Sequence, residues 1–307
     1  MSTVTDIPAR TGDVKDIKSK KKAAPVLEVK KLSISLGSAF QQESKQLVKN
    51  VSFAIHQGEM LGLAGESGSG KSVTAAAILG LLPQSLNVSE GQILFQGKEL
   101  INATKKEMRR LRGKEISFLF QNYQGSFTPF SRVGKQLIET LQSHQHFDKI
   151  QARQTALHWL ERVELPSERV FESYPHQLSG GQLQRASLAA ALMFKPSLII
   201  ADEPTTALDV LTGENILDLL AELQREVNCG VLLITHDIKH VIKRTNRMAV
   251  MFRGQLVEEG PTDFVREHPV HPYTKLLIWA RPRLTKDAED LEPRLTAQTG
   301  GDYYPFS

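Results

Sequence analysis

The octapeptide "GESGSGKS" (residues 65–72) constrains the fold of this chain more than any other feature. It follows the apolar run "MLGLAG" and precedes "VTAAAILGLL", in which apolar residues recur with helical spacing. The pattern G-x-x-x-x-G-K-[ST] between a strand and a helix is typical of a phosphate-binding loop, here called the P-loop. We therefore predict an α/β fold with an anion site where this strand ends.

The remaining pattern predicts strands on both sides of a helical insertion. "VLEVKKLSIS" and "VSFAIHQGE" alternate like strands, and "GQILFQGKEL" adds a strand and a turn. The short apolar runs in "ISFLFQ", "SLIIADEP" and "GVLLITHD" predict buried strands, and "RMAVMFRGQLVEEG" predicts a hairpin. From about 122 to 193 the apolar period becomes helical, which indicates a helical subdomain inserted into the α/β domain.

Composition excludes several classes of protein. With 40% apolar and 23% charged residues in 307, the chain has the composition of a globular protein. Its single cysteine, Cys229, excludes an internal disulfide framework and any cysteine-ligated cluster. No apolar run approaches the ~20 residues that span a bilayer, and the N-terminus lacks an apolar signal segment. We expect a cytoplasmic chain whose membrane role, if any, comes through a partner.

The net charge of +4 has a local origin. Residues 1–24 carry six basic and three acidic side chains, which leaves about +1 for the rest. A nearly neutral body argues against a nucleic-acid partner. We interpret 1–24 as a disordered basic tail, with a membrane-surface or nucleic-acid tether as the alternative. Residues 281–307 are predicted to form a peripheral tail, which leaves 25–280 as the nucleotide-binding domain.

The P-loop predicts the cofactor contacts. Its main chain would close around phosphates, Lys71 would reach the β- and γ-phosphates, and Ser72 would supply a hydroxyl to Mg²⁺. The predicted ATP contacts of this segment are Gly65, Ser67, Gly68, Ser69, Gly70, Lys71 and Ser72.

Polar residues follow the other predicted strands. Asp202 is a candidate Mg²⁺ ligand, and Glu203 a candidate general base for the attacking water. Taken alone, this acidic pair also fits a helix N-cap at the start of "DEPTTALD". Gln121 could contact Mg²⁺ or the attacking water, and His236 the γ-phosphate. Because parallel strands end at one edge of a sheet, we expect these side chains to converge.

A second anion-binding segment lies in "LSGGQLQR" (residues 178–185), here called the signature segment. Its glycines expose N–H groups at the start of a helix, the geometry that binds anions. One P-loop already accounts for one nucleotide, and each motif occurs once. The segment therefore predicts contact with the nucleotide of another subunit.

Together, "GESGSGKS", Gln121, "LSGGQLQR", "LIIADEP", "ALD" and "THD" resemble the ATP-binding subunit of an ABC transporter over roughly 26–277. The resemblance implies a RecA-like P-loop NTPase core with an antiparallel β subdomain and an inserted α-helical subdomain. It also implies an ATPase in which two such domains sandwich two ATP molecules. The implied contacts with the partner-bound nucleotide and the dimer interface involve Ser179, Gly180, Gly181, Gln182 and Asp209.

The subfamily resemblance is to the importer ATPases for oligopeptides, dipeptides, nickel and metallophores. "AGESGSGKS", "ADEPTTALDV" and the late "HPYT" (residues 271–274) carry it. It implies a heterodimer with a second ATPase, two membrane permease subunits and an extracytoplasmic binding protein, at the cytoplasmic face of the membrane. The family places an adenine-stacking aromatic residue where this chain has Leu36, with Phe40 as a possible substitute. Its C-terminal iron–sulfur cysteines are absent here.

Other functions are less well matched by these motifs. The alternatives are the ATPase of another ABC transport system and a soluble ABC-type ATPase of DNA repair or translation. The second class usually carries paired domains or long coiled coils, which this sequence lacks. A P-loop kinase or transferase would not need the signature segment. The pair His144 and His146 suggests a metal site, but we expect it to face solvent.

Overall fold

The computed structural model describes residues 24–37, 45–121 and 123–279. The strands are β1 (Leu27–Leu36), β2 (Gln46–Ile55), β3 (Met60–Ala64), β4 (Leu86–Phe95), β5 (Lys98–Glu99), β6 (Ile116–Leu119), β7 (Leu198–Asp202), β8 (Gly230–Thr235), β9 (Arg247–Phe252) and β10 (Gln255–Pro261). The α-helices are α1 (Lys71–Ile78), α2 (Lys105–Leu111), α3 (Val133–His144), α4 (Lys149–Arg162), α5 (Ser167–Glu172), α6 (Gly180–Leu192), α7 (Val210–Val227), α8 (Ile238–Arg244), α9 (Thr262–Glu267) and α10 (Pro272–Trp279).

A six-stranded sheet in the order β10-β9-β3-β8-β7-β6 forms the centre of the fold. The strands β9, β3, β8, β7 and β6 run parallel, and β10 pairs antiparallel with β9. All five residues of β3 are buried, as expected for a parallel strand covered on both faces. The predicted parallel sheet and the predicted hairpin are both confirmed.

The two faces of this sheet pack against different parts of the chain. In β7, Ile199 and Ala201 join the helical core, whereas Leu198 and Ile200 face the antiparallel strands. Those strands form a second sheet in the order β2-β1-β4-β5. This alternation follows from the period of two in a strand. The predicted fold class, a P-loop core with an antiparallel β subdomain and a helical insertion, is confirmed.

The helices α3 to α6 lie between β6 and β7 in the chain. Of these, α3 and α4 are separate helices, because Asp148 accepts hydrogen bonds from the N–H groups of Ile150 and Gln151 and caps the start of α4. The alternative interpretation of "DEPTTALD" as a helix start is wrong. Residues 203–208 form turns, and α7 begins only at Val210, with Asp209 as its N-cap.

His144 differs from its predicted solvent-facing position. Its ring packs edge-on against Phe194, with centroids 5.3 Å apart, and burial lowers its pKa. Across the described ranges no cluster of three metal-binding side chains is present, and none of the helices there is long and apolar enough to cross a membrane. Residues 1–23 of the predicted basic tail, the predicted peripheral tail over 281–307 and Phe40 lie outside the described residues.

Cys229, immediately before β8, is fully buried, and burial raises the pKa of its thiol to about 12. A rise of this size from the ordinary value lowers the thiolate fraction at pH 8 about 10³-fold. We therefore expect the folded chain to react with Ellman's reagent at least ~10³-fold more slowly than the chain in urea. Because the sequence has one cysteine, absorbance at saturation in urea gives the end point. Equal rates in the two conditions would contradict the buried position.

Candidate nucleotide-binding site

The P-loop connects β3 to α1 in a conformation that needs glycine at two positions. Gly70, the N-cap of α1, has φ 108°, and a Cβ there would lie 3.1 Å from the Leu47 carbonyl oxygen. A Cβ on Gly65 would lie 2.2 Å from the Met251 carbonyl oxygen. The main chain of the P-loop is thus packed directly against the neighbouring strands. A side chain at either position would clash with this neighbouring main chain, so both positions require glycine.

Lys71, the first residue of α1, is held by main-chain carbonyls. Its ammonium donates to the carbonyl oxygens of Gly65 and Glu66, each at 2.8 Å, and the residue is only 4% exposed. Burial lowers the pKa of the ammonium, although the nearby carboxylates of Glu203 and Asp202 oppose the change. An ammonium has three N–H donors, so at the mouth of an anion loop it is well placed to bind phosphate oxygens while it keeps a carbonyl partner.

The fold brings Ser72 and Asp202 together, although they lie 130 positions apart in the chain. The Ser72 hydroxyl donates to Asp202 Oδ1 at 3.1 Å. Burial raises the pKa of Asp202, the hydrogen bond from Ser72 opposes this, and the charge of Glu203 adds to it. Hydroxyl and carboxylate oxygens side by side are the donors that a hard cation such as Mg²⁺ prefers, so these residues fit the predicted metal.

Glu203 occupies a strained position at the end of β7. Its φ of 48° lies in the left-handed region, which costs a non-glycine residue about 1–3 kcal/mol. Its main-chain N–H donates to the Ile234 carbonyl at 2.9 Å. Its carboxylate Oε2 bonds His236 Nδ1 at 2.8 Å and accepts from the Thr206 hydroxyl at 2.7 Å. These hydrogen bonds hold the left-handed conformation of Glu203 and fix the direction of its carboxylate.

A cavity of about 710 Å³ opens at the carboxyl edge of the sheet. Gln121 after β6, Glu203 after β7 and His236 after β8 meet there with the P-loop. Its volume lies within the range for ligand sites. The residues lining it are Leu47, Glu66, Ser67, Gly68, Gly70, Lys71, Ser72, Val73, Gln121, Glu203 and His236.

Sequence patterns did not identify four residues at this site. Leu47, Glu66 and Val73 line the cavity, and Thr206 holds the Glu203 carboxylate. Glu66 and Val73 lie in or beside the P-loop, so proximity in the chain could have suggested them. Leu47 carries no such signal, because β2 brings it to the P-loop from the other sheet. Leu36, at the end of β1, does not line this cavity as the structure describes it.

The signature segment is separate from this cavity. Ser179 is the N-cap of α6 and forms a capping box with Gln182. The Cβ of an alanine at Gly181 would lie 2.7 Å from Thr212 Cγ2, so the start of α6 packs closely on the start of α7. Asp209 caps α7 by accepting from the Thr212 N–H at 3.0 Å. Of the described residues that line the cavity, none belongs to 178–185 or is Asp209.

Two family models match this chain. The ABC transporter model matches residues 48–206, about half of the sequence. The model of the oligopeptide/dipeptide transporter C-terminal region matches residues 257–302. With the P-loop, the signature segment and the convergent strand ends, these matches define the class. The chain belongs to the ABC transporter family, and it is an ATP-binding and ATP-hydrolysing subunit of that family.

Similar curated proteins are ATP-binding proteins of transport and import systems. The oligopeptide transport ATP-binding protein OppD of Bacillus subtilis is 42% identical over 277 residues, 90% of this chain and 76% of that protein. The dipeptide transport ATP-binding protein DppD of the same organism is 43% identical over 87% of this chain and 80% of its own length. The metal-staphylopine import system ATP-binding protein CntD of Staphylococcus aureus is 39% identical over 78% of this chain and 88% of its own length.

A solved structure shares the fold. The ATP-binding cassette MJ0796, in a dimeric post-hydrolysis state bound to ADP and phosphate, superposes with a TM-score of 0.67 at 30% identity. The match covers 77% of this chain and 98% of that one. The cassette CbiO1 of Clostridium perfringens, part of a CbiONQ transporter complex, gives the same TM-score at 27% identity.

Proposed function

We propose that this chain powers an importer for peptides, nickel or metal chelates, and that its ATP site is completed by a second ATPase subunit. The observation that supports the importer class is the match of residues 257–302 to the oligopeptide/dipeptide transporter C-terminal region. The relatives named for oligopeptide, dipeptide and metal-staphylopine transport support the same substrate range. The chain would work at the cytoplasmic face of the membrane, peripherally bound to two permease subunits that receive substrate from an extracytoplasmic binding protein.

Each residue at the cavity has a proposed role in binding the nucleotide. The main chain from Gly65 to Gly70 would surround the phosphates, with Ser67, Gly68 and Ser69 contributing N–H groups. The ammonium of Lys71 would keep its bond to the Gly65 carbonyl and turn its other N–H groups to the β- and γ-phosphates. Leu47 lines the cavity, where it would offer an apolar side chain to the nucleotide.

Ser72, Asp202 and Gln121 would hold Mg²⁺. The Ser72–Asp202 hydrogen bond already places two oxygens together, and Gln121 lies across the same cavity. The ion, when bound, neutralises charge on the transferring phosphoryl group.

Glu203 is the proposed general base. Both hydrogen bonds to its carboxylate are made to Oε2, which leaves Oε1 as the oxygen that orients the attacking water. His236 is proposed to steady this carboxylate through Nδ1 and to meet the γ-phosphate with its other ring nitrogen. Positioning and charge stabilisation dominate phosphoryl transfer, so the site needs little more.

The signature segment is proposed to bind the nucleotide held by the second ATPase. The N-terminus of α6 is formed by Ser179, Gly180, Gly181 and Gln182, and none of them lines the chain's own cavity. The N–H groups at a helix N-terminus are suited to bind an anion, here the phosphates held by another subunit. Asp209, which caps the adjacent helix α7, would transmit changes between the two sites.

The proposed function is tested by purifying the chain with its partners from the cells that produce it naturally. Affinity purification of the tagged full-length chain from detergent-solubilised membranes is expected to recover two permease subunits and a second ATPase. Vesicles that contain this complex and its binding protein are then expected to take up a labelled dipeptide or Ni²⁺ only with ATP. A Lys71→Ala chain serves as the control that assembles without driving uptake. Recovery with ribosomal or DNA-repair proteins in place of permeases would contradict the proposal.

A further inference from the structure

The C-terminal "HPYT" segment, residues 271–274, contacts the P-loop. The Glu66 main-chain N–H donates to the Tyr273 hydroxyl oxygen at 2.7 Å, across 207 positions of the chain. From this contact we infer that Tyr273 is a positioning residue for ATP binding, which acts through the Gly65–Glu66 peptide on Lys71. The inference does not depend on which substrate the importer carries.

One peptide unit connects the two side chains. The Gly65 carbonyl accepts from the Lys71 ammonium at 2.8 Å, and the Glu66 N–H of the same peptide donates to Tyr273. Because a peptide is planar, its N–H and C=O rotate together. The bond to Tyr273 therefore sets the direction of the carbonyl that receives Lys71.

Tyr273 is itself held firmly. Its ring stacks on Phe252, the last residue of β9, with centroids 4.3 Å apart and an interplanar angle of 27°. The N–H groups of Val270 and His271 donate to the two carboxylate oxygens of Glu258, at 2.8 and 3.0 Å, which fixes the start of α10 to β10. Burial also raises the pKa of the Tyr273 phenol, so the acceptor at Glu66 is neutral at physiological pH.

The same part of the fold supports the P-loop at two other points. A Cβ on Gly65 would meet the Met251 carbonyl, and the Gly254 N–H donates to the Ser69 carbonyl at 3.0 Å. The hairpin of β9 and β10 and the start of α10 thus contact the P-loop at three points, and Met251, Gly254 and Tyr273 do not line the cavity. Among the described residues, the Tyr273 hydroxyl is the only side-chain hydroxyl that accepts a hydrogen bond from the Glu66 N–H.

The test is a Tyr273→Phe substitution in the full-length chain, which removes the acceptor and keeps the stacked ring. Loss of one hydrogen bond predicts a roughly 2- to 12-fold rise in the Kd for the fluorescent nucleotide mant-ATP. The melting temperature should stay within about 4 °C of the parent. Tyr174→Phe, in the helical subdomain, is the matched control and should leave Kd unchanged.

A second variant separates positioning from a general loss of structure. In a Lys71→Arg background the planar guanidinium cannot take the place of the ammonium, so Tyr273→Phe should raise Kd no further. An unchanged Kd in the single variant would overturn the inference, and so would an equal rise in both backgrounds.

Hydrogen exchange provides a measurement on the unaltered chain as well. The Glu66 amide, exposed but bonded to Tyr273, should exchange slowly without nucleotide, and roughly 2- to 12-fold faster in Tyr273→Phe. Rapid exchange at Glu66 in the unaltered chain would overturn the inference even if Tyr273→Phe did not fold.

Discussion

Replacing Glu203 by glutamine is expected to leave ATP binding intact while it slows turnover by ~10²–10⁴, the usual contribution of a positioned base. The amide keeps the size of the side chain and its hydrogen bonds to Thr206 and His236, but it cannot accept a proton from water. Binding is measured with mant-ATP on the purified chain, and turnover as phosphate release by the assembled complex.

The control variant makes the same change, from carboxylate to amide, at a glutamate outside the site. Glu222→Gln removes a carboxylate from the exposed face of α7 and should leave both quantities unchanged. Thr206→Val retains the base but removes one of its two restraints, so an intermediate rate is expected. Normal steady-state turnover by Glu203→Gln in the complex would reject Glu203 as the general base.

Gly181→Ala is expected to reduce turnover of the complex about 10²- to 10³-fold without weakening ATP binding by the isolated chain. The added methyl group would hold the partner's phosphates away from the helix start, where the loss of one preorganised donor costs this much. Gly181 does not line the chain's own cavity, so mant-ATP should bind with unchanged Kd.

The contact between Gly181 and Thr212 offers an internal control. A Cβ on residue 181 would meet the Thr212 methyl at 2.7 Å, so the substitution disturbs packing as well. Thr212→Ser removes that methyl and relieves the clash. If Gly181 serves the partner's nucleotide, the double variant keeps the reduced turnover of Gly181→Ala. If the double variant regains normal turnover, the glycine is needed for packing alone, and the proposed two-subunit site is wrong.

The fold was predictable where local patterns carry a physical signal. The alternation of buried strands and the helical period between β6 and β7 follow from the spacing of apolar residues. The P-loop was predictable because few other sequences place glycines, a lysine and a serine between a strand and a helix. The convergence of Gln121, Glu203 and His236 followed from a general property of parallel sheets.

The start of α7 was harder to predict, because Asp202 and Asp209 are both acceptable N-caps by residue type. Tertiary contacts decide between them. The Glu203 N–H bonds the Ile234 carbonyl on β8, and the residue takes a left-handed conformation, so the chain turns before a helix can begin. A residue's preference for capping is a local property, whereas this turn depends on the neighbouring strand.

The sequence by itself determined the class of this protein, because the P-loop and the signature segment each carry their chemistry within eight consecutive residues. The tertiary structure alone decided how the site is supported. Leu47 and Tyr273 reach the nucleotide site through contacts with other parts of the chain, and Tyr273 does so from 207 residues away. Such contacts leave no periodic or motif signal, because they depend on how the two sheets and α10 pack around β3.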